Sequence, residues 1–181
     1  MLTSSVWRGQ TRYFVGGLLL GALTSGLVLG AIAGVLSIVP DQVRLALGVL
    51  ALSVILVAEL LGRPLRLPQN GRAVPQDIIP EARTQGALQF GFEMGTGVRT
   101  FMPTSLPHAT VIAVVVAGGL LPGLLAGLGF GLGRAAMTLL RSGSGSPNAW
   151  DGALRINVGR VGQLTAACFT ALLVVTILHI G

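Results

Sequence analysis

Uninterrupted apolar runs, each long enough to cross a bilayer, constrain this chain more than any other sequence feature. The first run extends from Tyr13 to Val39 and the last from Val161 to Ile180. A helix of about 20 residues spans the roughly 30 Å of hydrocarbon in a membrane. Only 10% of the 181 residues are charged, whereas soluble domains carry about 25%. The sequence therefore predicts an all-α integral membrane protein with the lipid bilayer as its main surroundings.

Five transmembrane helices are predicted, and together they form a single membrane domain over residues 1–181. Pro40 ends the first helix because proline cannot continue one, and the very short turn after it predicts an antiparallel hairpin with the second. Pro122 is expected to bend the fourth helix. Polar cytoplasmic loops are predicted at 63–85 and 134–160. The predicted spans are 13–39, 42–62, 86–102, 108–133 and 161–180.

The arginines give the expected orientation. Cytoplasmic loops of membrane proteins carry an excess of positive charge, and five spans that start from a cytoplasmic N-terminus place most arginines on that side. Arg44 alone lies on the opposite side, and Arg99 lies within the third span. We expect a plasma or bacterial inner membrane protein with an exterior C-terminus. Because topology explains the net charge of +6, no nucleic-acid partner is expected.

Glycines recur at a spacing of four in two of the predicted helices. Such a series forms a shallow groove in which another backbone can approach closely, and close packing is a main source of helix association in lipid. Two alternatives stay open, packing within the chain or an interface with a second copy or another membrane protein. The first helix has two such series, Gly17 and Gly21 followed by Ser25, and then Gly26, Gly30 and Gly34; the fourth helix has Gly119, Gly123, Gly127 and Gly131.

The third predicted span contains two opposite charges, Glu93 and Arg99. Ionised side chains in a membrane usually face a cavity or pair with one another. A separation of six residues does not place them on one face of a regular helix, but they would meet if the glycines at 91, 95 and 97 unwound it. A structural ion pair is the alternative. The candidate residues of a ligand or ion pathway are Glu93, Thr96, Arg99, Thr100, Thr104 and His108.

The segment Pro103-Thr-Ser-Leu-Pro107 makes the third helix irregular at its end. Discontinuous helices of this kind often form transporter binding sites, and the alternative is an ordinary extracellular turn. His108 follows the segment and is a side chain of a type that titrates near neutral pH. Glu59, near the end of the second helix, is expected to reach water or to pair with Arg63 four residues on.

The stretch from Gly95 to Pro107 resembles the Pro-Cys-x-x-Pro helix break of the CcdA/DsbD-type membrane family. Members of that family pass reducing equivalents across the membrane through paired cysteines on two broken helices. Thr104 stands where the family has a cysteine, and the first helix contains no second such motif. Since thiol–disulfide exchange needs a thiolate, the resemblance implies a related scaffold without that chemistry.

The absence of several known motifs from the sequence excludes some classes of function. Cys168 is the only cysteine, so no internal disulfide forms, and no Cys/His cluster offers a metal site. No phosphate loop or nucleophile motif is present, and neither an enzymatic role nor a cofactor is predicted. We expect a small transporter-like or translocation subunit with its polar centre at Glu93 and Arg99. The alternative is a non-catalytic accessory subunit of a larger membrane complex.

Overall fold

The computed structural model describes residues 10–63, 65, 67–68, 84–97 and 104–180. These residues form six α-helices and contain no strand, which confirms the all-α prediction for the described part of the chain. The helices are α1 (Thr11–Leu36), α2 (Asp41–Leu60), α3 (Thr84–Gly95), α4 (Leu106–Ala117), α5 (Leu120–Gly143) and α6 (Pro147–Ile180).

Four helices are long and apolar enough to cross a membrane. They comprise α1, α2, α5 and the part of α6 from Asn148 to Val175. The apolar helix α4 and the helix α3 have 12 residues each, which corresponds to about 18 Å. Large apolar side chains are exposed along the long helices, with Leu47 and Leu172 among them. The architecture is compatible with a multi-pass membrane protein.

A tight turn joins the first two helices, and Pro40 stands immediately before α2, at its N-cap position. Beyond this turn the two helices have different main neighbours: α1 packs on α3 and α5, and α2 packs on α4 and α6, while α4 also contacts α1. The predicted turn is therefore present, but the packing of the bundle does not come from a close hairpin between α1 and α2.

The end of α2 is a Schellman motif. Gly62 adopts a positive φ of 69°. Its N–H donates to the carbonyl of Glu59 at 2.9 Å, and the N–H of Arg63 donates to that of Ala58 at 2.9 Å. This pair of bonds ends the helix with its last carbonyls satisfied.

Helix α1 packs between α3 and α5. Helix α3 runs parallel to α1, because its Gly91 lies against Phe14 and its Gly95 lies against Leu18. Helix α5 runs antiparallel to α1: the backbone of its early residue Gly123 meets Gly26, and its later residue Gly131 meets Leu19 and Ala22. We call these three helices the glycine unit, because close backbone contacts at glycines hold them together.

Helices α2, α4 and α6 form a second group, which we call the side-chain unit. Buried Leu52, Ile55 and Ala109 make one cluster of this unit. A second cluster joins residues of all three helices, and Phe169 of α6 packs against both clusters. The amide Nε2 of Gln163 on α6 donates to the carbonyl of Leu60 on α2 at 3.1 Å. The second cluster consists of Leu56, Leu106 and Ala166.

The continuous helix predicted over 108–133 is wrong. The chain leaves the helical conformation at Gly118 and Gly119, which have φ values of 69° and 87°. Without a Cβ, glycine adopts this left-handed region at little cost. The chain reverses there, since α4 lies along α2 and α5 returns along α1. Pro122 does not bend a helix. It lies in the first turn of α5. Backbone N–H groups in the first turn have no acceptor within the helix, so proline, which lacks this group, is tolerated there.

Both predicted polar loops are partly structured. The 134–160 segment is helical except for residues 144–146, between the end of α5 and the start of α6. Arg141 of α5 and Asp151 of α6 join the two helices across this turn. Two hydrogen bonds of 2.6 Å connect them, one from Nε to Oδ1 and one from Nη2 to Oδ2. In the 63–85 segment, Leu67 packs against the α2–α4 core, and α3 begins at Thr84.

The third predicted span, 86–102, also differs from the structure. The helix there ends at Gly95, and residues 98–103 lie outside the described part of the chain. Gly97 has a φ of 73°. At the helix end, the hydroxyl of Thr96 donates a hydrogen bond to the carbonyl of Glu93, and the hydroxyl of Ser25 donates one to the carbonyl of Thr96. Because these carbonyls already have donors, the helix can stop at that point.

Candidate functional site

A groove of about 610 Å³ lies between α1, α3 and α4. One wall is the apolar middle of α1 together with Val111 of α4. The other side carries Glu93, the one ionisable side chain among the described residues of the lining. The lining residues are Thr24, Ser25, Val28, Leu29, Ile32, Glu93, Thr96 and Val111.

Hydroxyl groups organise the polar end of this groove. Ser25 Oγ donates to the backbone carbonyl of Thr96 at 2.9 Å, which ties α1 to the end of α3. Thr96 Oγ1 donates to the carbonyl of Glu93 at 2.8 Å, and Thr24 Oγ1 donates to that of Leu20 at 2.8 Å. Each hydroxyl hydrogen is therefore used, and the hydroxyl oxygens remain as acceptors. Glu93 itself is half-buried.

Of the three glycines expected to unwind α3, only Gly97 departs from the helical conformation, with a φ of 73° beyond the helix end at Gly95. Gly91 and Gly95 lie in a regular helix, where a Cβ on either would overlap a carbonyl oxygen of α1. Arg99 and Thr100 lie outside the described residues. The pairing of Glu93 with Arg99 therefore stays a prediction.

The two other described site residues, Thr104 and His108, do not line this groove. The Cγ2 methyl of Thr104 lies 3.2 Å from the position that a Cβ of Gly162 would occupy on α6. His108 Nε2 lies 3.1 Å from the carbonyl oxygen of Pro68. His108 also lines a second, apolar groove of about 630 Å³ against α2. The structure thus places Glu93 and Thr96 in one groove, whose lining does not include Thr104 or His108.

Glu59 is buried, contrary to the expectation from the sequence. It was expected to reach water or to pair with Arg63, but its side chain is 3% exposed. Its Oε1 accepts hydrogen bonds from both the backbone N–H and the hydroxyl of Ser105, the latter at 2.6 Å. Ser105 is the N-cap residue of α4, and carboxylates are stabilised at helix N-termini by the unpaired N–H groups there. Hydrogen bonds to a charged group contribute more than an exposed i,i+4 ion pair would.

One signal in the sequence could have located Ser105 at the start of a helix. Serine is a preferred N-cap residue, and a proline in the first turn of a helix strengthens that assignment. Ser105 is followed by Leu106 and Pro107, which is such a pattern. Nothing local, however, names Glu59 as the acceptor, because the two residues are 46 positions apart.

Arg44 meets the other end of α4. Its Nε donates to the carbonyl of Val116 at 3.1 Å, and its Nη2 lies 2.7 Å from Oδ1 of Asp41. The guanidinium carbon is 3.7 Å from the position that a Cβ of Gly118 would take. A cation at a helix C-terminus interacts favourably with the last carbonyls. Arg44, the one arginine that the predicted topology places on the exterior side, therefore has a structural partner in the C-terminal end of α4.

Most of the predicted packing glycines contact a neighbouring helix within the chain. Gly119 is the exception, because it lies in the turn before α5 and a Cβ there would meet nothing within 4 Å. Gly17 and Gly21 meet the backbone of α3, and Gly26 and Gly30 meet that of α5. Gly34 is more loosely packed, because the position that its Cβ would take is 4.0 Å from the backbone of Gly119. Packing within the bundle, one of the two alternatives for these glycines, is what the structure shows. The partners of the α5 glycines are Gly26 and Gly30 for Gly123, Ala22 and Gly26 for Gly127, and Leu19 and Ala22 for Gly131.

The described residues contain no group of three or more His, Cys, Asp or Glu side chains that could hold a metal ion. Cys168 is exposed on α6. No family model, curated protein or solved structure matches the chain, so the resemblance to the CcdA/DsbD-type family stays a prediction.

Proposed function

We propose that this protein is a small transporter-like translocation subunit whose polar centre is the groove at Glu93. The observation that carries the proposal is the position of this carboxylate in a groove beside the middle of α1. Ser25, which binds the end of α3, lies eleven residues before Leu36. Eleven residues correspond to about 16 Å of helix, close to half of a roughly 30 Å hydrocarbon layer.

A carboxylate at this depth has an energetic cost that a purely structural helix would avoid. Ionisable side chains within membrane segments usually line water-filled cavities, bind substrates or pair with another charge. Arg99, six residues after Glu93, is the partner we propose. In this arrangement Arg99 attracts an anionic group, and Glu93 balances or gates that charge.

The break between α3 and α4 supports the same proposal. Helix α3 ends beside Ser25 of α1, whereas α4 begins at Ser105 beside Glu59 of α2. The two short helices thus end and begin against different neighbours. Discontinuous helices supply transporters with binding groups from helix ends and from free backbone atoms.

The groove lies at the boundary between the two helix units. Its lining comes from α1 and α3 of the glycine unit and from Val111 on α4 of the side-chain unit. Transporters commonly alternate access by rocking one rigid group of helices against another around a fixed site. A small rotation of the side-chain unit would widen or close the groove at Glu93.

The helix directions support a five-pass topology in a plasma or bacterial inner membrane. Helices α1, α2, α4, α5 and α6 would alternate in direction across the bilayer, and α3 would penetrate to about its middle. The start of α1, Arg63 after α2 and Arg141 at the end of α5 then share one side. By the positive-inside rule that side is cytoplasmic, and the C-terminus is exterior.

Flux measurements in proteoliposomes test the proposal. Protein would be reconstituted into liposomes with trapped pH-sensitive and chloride-sensitive dyes, under a potassium diffusion potential. We expect flux of protons or chloride above that of empty vesicles, and its loss in Glu93→Gln and Arg99→Gln with unchanged helical content. Asp41→Asn, which changes an exposed carboxylate outside the groove, is the matched control.

Two outcomes would contradict the proposal. One is a flux of both ions that does not exceed that of empty vesicles. The other is a loss of folding in both groove variants, which would assign Glu93 and Arg99 to structure.

The alternative function, an accessory subunit of a larger membrane complex, places its contacts on the glycine faces. Because α3 and α5 already cover most of those faces, a partner protein would need another surface. Purification in mild detergent separates the two proposals. A stoichiometric partner of different sequence would favour the accessory subunit.

A further inference from the structure

Two exposed arginines flank the point where α2 ends and the apolar part of α6 begins. Arg63 follows the last turn of α2, and Arg160 is on α6. Gln163 joins the two helices there: its Nε2 donates to the carbonyl of Leu60 and lies 3.2 Å from the position that a Cβ of Gly62 would take. Arg160 precedes Gln163 by three residues and so shares its helix face. Both arginines therefore flank one junction.

The junction lies at a defined level relative to the apolar helices. Helix α2 has 20 residues, about 30 Å, which matches the hydrocarbon thickness of a bilayer. The stretch of α6 from Val161 to Ile180 has the same length. The two helices run antiparallel, with Gln163 beside Leu60. The apolar stretch of α2 therefore ends at the same membrane depth at which that of α6 begins. Arg63 and Arg160 then lie at the level of lipid headgroups.

Exposed apolar side chains continue from this junction toward the middle of both helices. Leu61 is 69% exposed at the end of α2, Val57 is 54% exposed one turn earlier, and Leu164 is 68% exposed on α6. These side chains provide a surface for hydrocarbon directly next to the two cations. A positively charged head position and an apolar track are the two features that an anionic lipid matches.

The charges at the junction are not neutralised by the described part of the protein, in which neither arginine makes an ion pair. The nearby carboxylate of Glu59 is buried and accepts from Ser105, and Asp151 is bonded to Arg141. Arginine binds phosphate oxygens through two parallel N–H donors, which makes it well suited to phosphate recognition.

We propose that Arg63 and Arg160 bind the headgroup phosphate of an anionic phospholipid whose acyl chains lie along the exposed apolar faces of α2 and α6. The lipid would bridge the end of α2 and the start of the apolar part of α6, and it would reinforce the Gln163 contact. This site is separate from the groove at Glu93, and its test does not depend on transport.

Native mass spectrometry of the delipidated protein in detergent tests the site. Phosphatidylglycerol and phosphatidylcholine with identical acyl chains would be titrated, and the bound lipid counted. We expect phosphatidylglycerol to bind at least about tenfold more tightly than phosphatidylcholine, because only the former carries a net negative charge. The double variant Arg63→Gln, Arg160→Gln should abolish that preference, and the two single variants should be intermediate.

Arg155→Gln is the matched control, because Arg155 is an exposed arginine on another face of the same helix. It should bind lipid as the unaltered protein does. Equal binding of both lipids, or an unchanged preference in the double variant, would overturn the proposal. Displacement of the lipid by millimolar inorganic phosphate would also overturn it, since the site would then recognise a free anion. Circular dichroism of each variant verifies that the helices remain folded.

Discussion

Glu59 and Arg44 lie fifteen residues apart on α2 and contact opposite ends of α4. Fifteen residues correspond to about 22 Å of helix, slightly more than the roughly 18 Å of α4. The carboxylate meets the N-terminal end of α4, and the guanidinium meets its C-terminal carbonyls. Each charge therefore complements the helix dipole at its end. The 12-residue helix α4 is thus fixed at both ends by its neighbour α2.

Glu59→Ala should strongly destabilise the protein. The substitution removes both hydrogen bonds at Ser105 and leaves buried donors without an acceptor, which costs about 3 kcal/mol of the free energy of unfolding. Ser105→Ala should cost about 1 kcal/mol, because only the hydroxyl bond to Glu59 is lost and the backbone N–H keeps its acceptor. Unfolding by SDS in mixed micelles, followed by circular dichroism, measures both values. Equal losses in the two variants would contradict the assigned geometry.

Arg44→Gln should destabilise the other end of α4. It removes the hydrogen bond to the carbonyl of Val116 and a cation at a helix C-terminus, together about 1 kcal/mol. Asp41→Asn is the control, because it removes only the ion pair at a carboxylate that is 83% exposed, and exposed pairs contribute little. The same unfolding assay compares them. If Asp41→Asn were the more harmful change, the helix-end contact would not be the stabilising one.

Gly123→Ala and Gly129→Ala form a matched pair on α5. A Cβ at Gly123 would overlap the carbonyl oxygen of Gly26, whereas a Cβ at Gly129 meets nothing within 4 Å. Forcing the backbones apart should cost about 1–3 kcal/mol at Gly123. The change at Gly129 should stabilise the helix by up to about 1 kcal/mol. Thermal unfolding in detergent would show melting temperatures that move in opposite directions.

Gly118→Ala separates backbone strain from crowding. The nearest atoms to a Cβ at Gly118 belong to Arg44 at 3.7 Å, so there is room for the methyl group. The φ of 69° and ψ of 148° nevertheless disfavour any L-residue, with a cost of about 1–3 kcal/mol. Gly133→Ala, inside α5 with open space around it, is the control and should not destabilise. An unaffected melting temperature for Gly118→Ala would argue against the reversal at this turn.

The first two helices could be predicted because their signals are local. A long apolar run stops at Pro40, and a second begins immediately after it, so length and one residue type locate the turn between them. The fourth predicted helix was wrong for a related reason. Apolar residues continue through Gly118 and Gly119, and a hydropathy pattern cannot show that two glycines take positive φ values there.

The glycine faces could be predicted from the sequence only in part. The spacing of Gly17, Gly21, Gly26 and Gly30 indicates which sides of α1 accept close neighbours. It does not indicate which helix occupies each side. The two grooves on this one helix hold α3 and α5, a choice that depends on where distant segments return along the chain.

By itself, the sequence determined that the chain is helical, where most apolar segments lie and that the arginines fall mainly between those segments. These properties follow from hydropathy and charge, which act residue by residue along the chain. Only the tertiary structure decided where the chain reverses and what Glu59 binds. Those outcomes depend on satisfying helix ends and buried charges with partners far away in sequence, which no local pattern encodes.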